Sequence, residues 1–409
     1  MPRATAADPR SAIVVGAGFA GLAAAEALAD AGLHVTVLEA AARPGGRVHS
    51  RRLDDGSVLE LGAEFVLPGY ELLASTAERL DLRLYEKGTL YGDREPVGGV
   101  ATTAAEVRAA AASLTAAGGT SVLDALERLV PERGPREAIA ARIAVSTAHE
   151  PADQPASVLA DGAARFGAFP SYGIAGGNDL IARSLAAALG ERMRLREPVE
   201  SIAWDEDGVR VGTPTGALEA AACVLAVPAP RTLAIAFEPP LPDWKRKALA
   251  AVRYGQAAKL FLRLELPAAP SATLSVPERF WLWTQHAPEG GGLPVASSFA
   301  GTAAALAQLR VDEGPGTWAA AVRRLRPDLR FAAGEPLLST WPDGAYSARS
   351  LASPLDDDAL ARPVGPLAFA GEHTAEGWHG LMEGALRSGR RAAAELLTAR
   401  TGHVATVPL

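Results

Sequence analysis

Apolar and polar positions divide this chain into three kinds of stretch. Short apolar runs bounded by turn residues, interrupted only at Thr36, stand at Ala12 to Val15, Val35 to Leu38 and Leu367 to Ala370, and within "AACVLAVP". Runs of that length, apolar on both faces, predict buried strands. An alanine-rich stretch of helical period separates the first two, so strand, turn, helix and strand follow in the order of a nucleotide-binding unit. A second kind of stretch runs from about residue 71 to 160, alanine-rich and helical in period, broken by "VGGV", "AAGGTS" and "VPERGP". It predicts a helical lobe, and it offers no cluster of side chains suited to catalysis.

The third kind alternates. "RMRLREPVESIAWDEDGVRVGTPTGALEAAACVLAVP" predicts a strand meander with turns at "DEDG" and "TPTG", ending in a buried strand before Pro228. In "AAKLFLRLEL", Lys259, Phe261, Arg263 and Glu265 share one face and four leucines the other, which predicts a half-buried strand. "RFWLWT" and "PVASSFAG" read as its sheet partners, and "DEGPGTWAAAVRRLRP" as a helix. Asn178 is placed to cap a helix beginning at Asp179. After the Leu367 to Ala370 run come a loop and a helix starting near Met382.

The predicted fold class is α/β. A discontinuous Rossmann-like domain takes residues 1–84, 173–230 and 341–409, and an α+β domain of antiparallel sheet plus helical lobe takes 85–172 and 231–340. A chain of 409 residues is long enough for two such intertwined domains.

Composition removes several functions. With 47 acidic against 40 basic side chains the net charge is -7, and no lysine or arginine cluster would track a phosphate backbone, which argues against nucleic acid as a partner. One cysteine, Cys223, excludes a disulfide framework and a multi-thiolate metal site, and suits a reducing cytosol. The N-terminal residues lack a secretory apolar stretch, and no apolar run is long enough to span a bilayer, so no membrane anchor is expected. A soluble, cytoplasmic protein is the expectation, with a homodimer possible. Among the 40 basic residues only Lys87, Lys245, Lys247 and Lys259 are lysines.

The turn after the first strand carries Gly16, Gly18 and Gly21 in G-x-G-x-x-G spacing. The first glycine suits the tight turn, the second the approach of a pyrophosphate, and the third helix-on-strand packing. Glu39 closes the second strand, where an acid can bind ribose hydroxyls and repel a 2'-phosphate. In "RPGGR" the pair ending at Gly46 places Arg47 within reach of the same pyrophosphate. Alone, Arg47 reads equally as a surface arginine; the glycine pair favours the cofactor.

From Arg47 onward the chain resembles the flavoproteins with two dinucleotide-binding domains, and at its C-terminal end the resemblance sharpens to the flavin amine oxidases. The matching stretches are "VVGAGFAGLAAA", "RPGGR", "LELGAEFV", "GGNDLI", "VESI", "YGQAAKLFL", "WPDGAY" and "FAGEHT" with "GLMEGALRSG". They run from about residue 11 to 395 and leave only the helical lobe unmatched. The resemblance implies an FAD-binding domain in which Gly62 and Ala63 continue the fingerprint, Val199 contacts adenine through its backbone, Gly371 and Glu372 meet the pyrophosphate or ribityl chain, and the Met382 amide meets a flavin carbonyl. Gly380, Gly384 and Gly389 would let that last helix approach the cofactor.

For catalysis the resemblance implies that Lys259 holds a water against flavin N5, and that Tyr346 forms one wall of an aromatic cage. The opposite wall is Leu381, so the cage is half built, with Trp378, Phe65 or the tryptophans of "FWLW" as candidate substitutes that read more simply as core. Ala345 stands where the monoamine oxidases attach FAD through cysteine, implying noncovalent FAD. Leu67 stands where the polyamine enzymes carry an acid or histidine. His373 and His379, six apart with no acid at helical spacing, make a poor metal site. The implied reaction oxidises the carbon–nitrogen bond of an amine to an imine by hydride transfer to flavin N5, with molecular oxygen returning the flavin and giving hydrogen peroxide. Two alternatives are a desaturase or oxidase of carbon–carbon bonds in a larger apolar substrate, as in the protoporphyrinogen oxidases and the squalene and carotenoid desaturases, and a flavin-stabilised binding protein.

Overall fold

Both ends of the chain and its middle meet in one sheet of five parallel strands, in the order Leu367–Phe369, Ala222–Leu225, Ser11–Val15, His34–Glu39 and Met193–Leu195. The computed structural model describes residues 8–114, 120–159, 166–348 and 355–401, with backbone alone at 342–348 and 400–401. Successive side chains of these strands enter two different cores. Val14, Val35, Val37 and Val224 pack under the helices Phe19–Asp30 and Met382–Thr401. Ile13, Val15, Leu38, Cys223 and Leu225 pack on the opposite side against Ile202, Val211 and Leu249. A strand covered on both faces has no polar side to show, which is why its sequence is a nearly unbroken apolar run. Burial pushes the Cys223 thiol up to about 12, so it serves as a small core hydrophobe.

The meander forms as the alternation predicts. Ser201–Asp205, Gly208–Thr213 and Gly216–Ala220 pair antiparallel, with Asp205 Oδ1 accepting from the Asp207 and Gly208 amides in the "DEDG" turn. Ala236–Glu238 joins this sheet beside Ser201–Asp205, so the expected boundary at residue 230 divides a continuous sheet. The boundary expected at 340/341 likewise falls inside one strand, Leu337–Ala348.

That strand is the edge of a six-stranded sheet that continues through Arg253–Arg263, Val295–Gly301, Phe280–Thr284, Ser271–Ser275 and Glu95–Val97. Leu260, Leu262 and Leu264 face Trp318 and Val322, from the helix Gly316–Leu325. On the other face Lys259 and Phe261 are equally buried, while Arg263 and Glu265 are exposed. The expected half-buried strand is thus corrected at Lys259: the loop at residues 60–64 covers it there, and an ion pair takes the place of water.

Of the helical stretch, Ala104–Ala112, Val122–Leu129 and Arg133–Thr147 share a separate core, the first two opening with capping boxes at Thr103/Glu106 and Ser121/Asp124. Glu71–Arg79 instead packs Leu72, Leu73 and Ala77 beside the C-terminal helix. Buried Glu383 joins the two, its carboxylate accepting from the Leu72 and Leu73 amides at 3.0 and 2.9 Å, where a helix start leaves donors unmatched. Asn178 is not the expected cap. Its Oδ1 accepts from the Ile174 amide at 3.0 Å and its Nδ2 donates to the Glu64 carbonyl at 2.7 Å, which pins the loop that covers Lys259.

Two glycines expected to face the cofactor do something else. A Cβ on Gly389 would lie 2.1 Å from the Ala20 carbonyl, and one on Gly384 2.2 Å from the Trp378 carbonyl. They permit the C-terminal helix to touch the first helix and its own entry loop. Gly389→Val should therefore force those two helices apart and lower the free energy of unfolding by about 1–3 kcal/mol or more. Urea titration of the purified variant measures this; an unchanged midpoint would mean the contact is dispensable.

Candidate functional site

The carboxyl ends of the parallel strands open into a cavity of about 740 Å³, the crevice where open α/β sheets take ligands. Gly16, Glu39, Ala226 and Gly371 line it as the residues at or just beyond four strand ends. At Gly16, φ is +101° and a Cβ would meet the Ala226 carbonyl at 2.8 Å; a Cβ on Gly21 would lie 1.9 Å from the Gly16 carbonyl. Gly18 faces open space, with nothing within 4 Å of where a Cβ would be. Two of the three glycines serve backbone contacts, and the middle one leaves the cavity wall bare.

Glu39 fixes that loop from the next strand. Its two carboxylate oxygens accept from the Ala17 and Ala41 amides at 2.7 and 2.8 Å, each keeping a lone pair for a further donor. Across the cavity Arg47 forms an ion pair with Glu372, 325 residues further along the chain. The Arg47 guanidinium also stands 5.8 Å from the Tyr254 ring. Gly46, Val199 and Met382 line the same cavity, and the helices that begin at Phe19 and Met382 both present first turns to it. His373 lines it too; burial lowers its imidazole to about 4, so it is neutral. His379 is tied to Asp357 at 2.8 Å. No group of three or more metal-ligating side chains occurs among the described residues.

A second, smaller chamber of about 60 Å³ adjoins the first. Gly62, Ala63, Lys259, Phe299, Gly380, Leu381 and Met382 belong to both and form the partition. Beyond it the aromatic walls are Phe65, Tyr70, Tyr91, Trp281 and Trp283. Trp281 and Trp283 stack at 4.3 Å, with the Arg94 guanidinium 3.7 Å from the Trp281 ring. The tryptophans read as core in the sequence thus form the chamber, along with Phe65. Trp378 lines neither chamber and packs instead on Tyr70 and under Arg387. Tyr346 pairs with Gly255 along the strand, and its side chain lies outside the described residues.

Four charged groups converge behind the partition. Lys259 Nζ donates to Glu64 Oε2 at 2.7 Å and to the Glu60 carbonyl at 2.8 Å. Glu64 Oε1 accepts from Lys87 Nζ and from Trp283 Nε1, both at 3.2 Å. Burial pushes the Glu64 carboxyl up, but the two ammoniums outweigh it and hold it below its ordinary value. Burial also pulls Lys259 down more than Glu64 raises it, whereas Lys87, pulled the same way, ends above its ordinary value through Glu64, Tyr85 and Glu60. Lys259 is accordingly the base of the cluster that gives up its proton more readily.

Sequence reasoning missed Glu64, Lys87, Tyr91 and Arg94, the last three because the stretch from residue 71 was read as having no chemistry. One signal was present. Three of the four lysines, at 87, 245 and 259, are buried, so lysine in this chain marks an interior post. Lys245 fills a different one, donating to the Ala359 and Leu360 carbonyls at a helix end.

Comparison with known proteins places these features in context. A family model described as flavin containing amine oxidoreductase matches residues 19–103 and 144–397. A putrescine oxidase of Kocuria rosea is 29% identical over 95% of each chain. An L-amino-acid oxidase of Mus musculus is 27% identical over 95% of this chain and 71% of its own. The solved structure of putrescine oxidase bound to putrescine superposes with a TM-score of 0.81 at 25% identity, covering 95% of this chain and 99% of that one.

Glu60 offers a test of the buried cluster. Burial raises its carboxyl from 4.5 to about 7. A group raised in the folded state contributes stability that is present below its unfolded value and lost as pH climbs through the folded one. His373, lowered from 6.5 to about 4, acts in the opposite sense over part of that range, so wild type alone would not separate them. Glu60→Gln isolates the acid: its unfolding free energy relative to wild type should rise by about 3 kcal/mol as pH goes from 4.5 to 7, at about 1.4 kcal/mol per unit. Urea titrations at several pH values check this, and a difference that stays constant with pH would place the titration elsewhere.

Proposed function

The chain belongs to the flavin-containing amine oxidoreductase family, and from that premise we propose that it oxidises the carbon–nitrogen bond of an amine whose remainder is apolar. FAD is the cofactor of these oxidases, and the larger chamber suits it. Glu39 would hold ribose hydroxyls, the bare Gly18 and the first turn at Phe19 the pyrophosphate with Arg47 and Glu372 beside it, Val199 the adenine, and the Met382 amide a ring carbonyl. Ala345 offers no thiol, so binding would be noncovalent. Once bound, the flavin supplies the acceptor for a hydride from the carbon beside nitrogen, leaving an imine, and oxygen takes up the two electrons and two protons as hydrogen peroxide.

The observation that carries this reading is the partition. Lys259, a buried cation with a lowered proton affinity, stands between the cavity that suits a dinucleotide and an aromatic chamber that excludes water. Among the described lining residues of the small chamber there is one acid, Glu64, against two bases, Arg94 and Lys259, and that acid is already held by two lysines and an indole. No carboxylate is left to receive the far ammonium of a diamine, which favours a monoamine with an apolar remainder. With no carboxylate among the described lining residues left to take a proton from the substrate, its nitrogen must enter unprotonated. Residues 1–84, 173–230 and 341–409 would then supply the flavin half of the site and the rest its substrate half, with the divisions adjusted to keep whole sheets together.

Mixing the flavin-loaded protein anaerobically with primary, secondary and cyclic monoamines at mildly alkaline pH should bleach the flavin with one class, faster as pH approaches the amine's own pKa. A flavin that dithionite reduces and no amine bleaches would move the reading to oxidation of carbon–carbon bonds in an apolar substrate. Lys259→Met should slow reoxidation by oxygen far more than reduction, measured as separate half-reactions by stopped flow. Equal slowing of both would remove Lys259 from the oxygen step.

A further inference from the structure

Lys87 presents a physical problem. It is 1% exposed and lines neither chamber. Burying an ammonium is costly, and most of all when its pair is left half-made. Its Nζ reaches Glu64 Oε1 at 3.2 Å and Gln285 Oε1 at 3.3 Å, with the Phe65 and Tyr85 rings at 5.5 and 5.6 Å. No ligand surface is within its direct reach, so its effect on the site passes through Glu64.

Glu64 in turn is a bridge. One oxygen takes Lys87 and Trp283, the other takes Lys259, and the backbone around it is fixed by Asn178 donating to the Glu64 carbonyl. The Lys259 ammonium is faced by the Glu60 carbonyl and carboxyl on the strand Val58–Glu60, by Glu64 on the covering loop, by Lys87 beyond it, and by the Trp283 ring at 5.6 Å. Trp281 stacks on that ring, and Arg94 lies against Trp281. With Glu60 protonated, two ammoniums share one carboxylate, and the cluster carries a net positive charge against the partition.

We propose that Glu64 is a positioning residue for Lys259, with Lys87 as its brace, and that together they fix a positive charge in the partition where it stabilises electron density arriving in the larger chamber. This rests on the reading of that chamber as the flavin's. The two residues act on Lys259 with opposite signs: the Glu64 carboxylate favours its charged form, and the Lys87 ammonium opposes it and competes for the same carboxylate. A merely structural pair would do neither, since loss of either member would loosen the site in the same way.

The test is the midpoint potential of the flavin-loaded protein as a function of pH, between about pH 6 and pH 10. Measured in the Glu60→Gln background, so that Glu60 adds no break of its own in this range, its slope changes where a group coupled to the flavin titrates, and that break should vanish in Lys259→Met. Glu64→Gln should move it to lower pH by about 1–3 units, Glu64→Asp should leave it near the wild-type position, and Lys87→Met should move it to higher pH. Glu64→Gln in the Lys259→Met background should have no further effect on the potential. A break that Glu64→Gln leaves in place, or that Glu64→Gln and Lys87→Met displace in the same direction, overturns the proposal. If Glu64→Gln does not fold, Lys87→Met decides alone, an upward displacement supporting it and none overturning it. Electrons come from an electrode, so a protein that oxidises no amine still gives the answer, and failure of the substrate reading stays separate from failure of this one.

Discussion

Three donors converge on the carboxylate of Glu64, inside the protein and far from one another in sequence. Lys87 comes from the stretch before the lobe, Lys259 and Trp283 from two strands of the six-stranded sheet, and Glu64 itself from the loop that leaves the first βαβ unit. Each charge would be costly alone, and their mutual attraction in a dry interior offsets that cost only while all are in place. The interaction therefore ties the loop at Glu64 and the stretch at Lys87 to the six-stranded sheet, and of these residues Lys259 stands in the wall that the two chambers share.

The larger chamber depends on a second constraint, the return of the chain to the parallel sheet. Gly16, Glu39, Ala226 and Gly371 lie at neighbouring strand ends although they come from the start, the middle and the end of the chain. Parallel pairing aligns their carboxyl ends on one side, and the two long helices approach closely enough, through Gly389 against Ala20, to bring both helix starts to that side as well. Anion-attracting helix ends, an acid over the glycine loop and the Arg47–Glu372 pair then surround one space.

Much of this was legible in the chain. Buried strands announced themselves as nearly unbroken apolar runs because both of their faces are covered, and the glycine spacing has few uses other than a turn that admits a ligand to backbone. The meander followed from alternation, and of the two strands read beside Lys259, Val295–Gly301 pairs with it directly while Phe280–Thr284 lies one strand further on; the other direct partner, Leu337–Ala348, was not read. What escaped was set by contacts across long separations. Phe65, Trp281 and Trp283 look like core residues in any window, and become chamber walls only because two strands and a loop stop short of filling the space between them. Asn178 has the sequence setting of a helix cap, yet the backbone of residues 63 and 64 arrives beside it and takes its side chain.

The sequence by itself determined the βαβ frame, the glycine turn, the acid at its second strand and the family to which these belong, since each depends on neighbours within a few tens of residues. Tertiary structure alone decided which lysines share a carboxylate, which glycines face a cavity and which face another helix, and that a strand polar on one side is nonetheless dry at Lys259. Local pattern fixes how a residue is oriented along its own element. Burial and the sign of its electrostatic neighbourhood are sums over everything packed against it, and no window of the chain contains those terms.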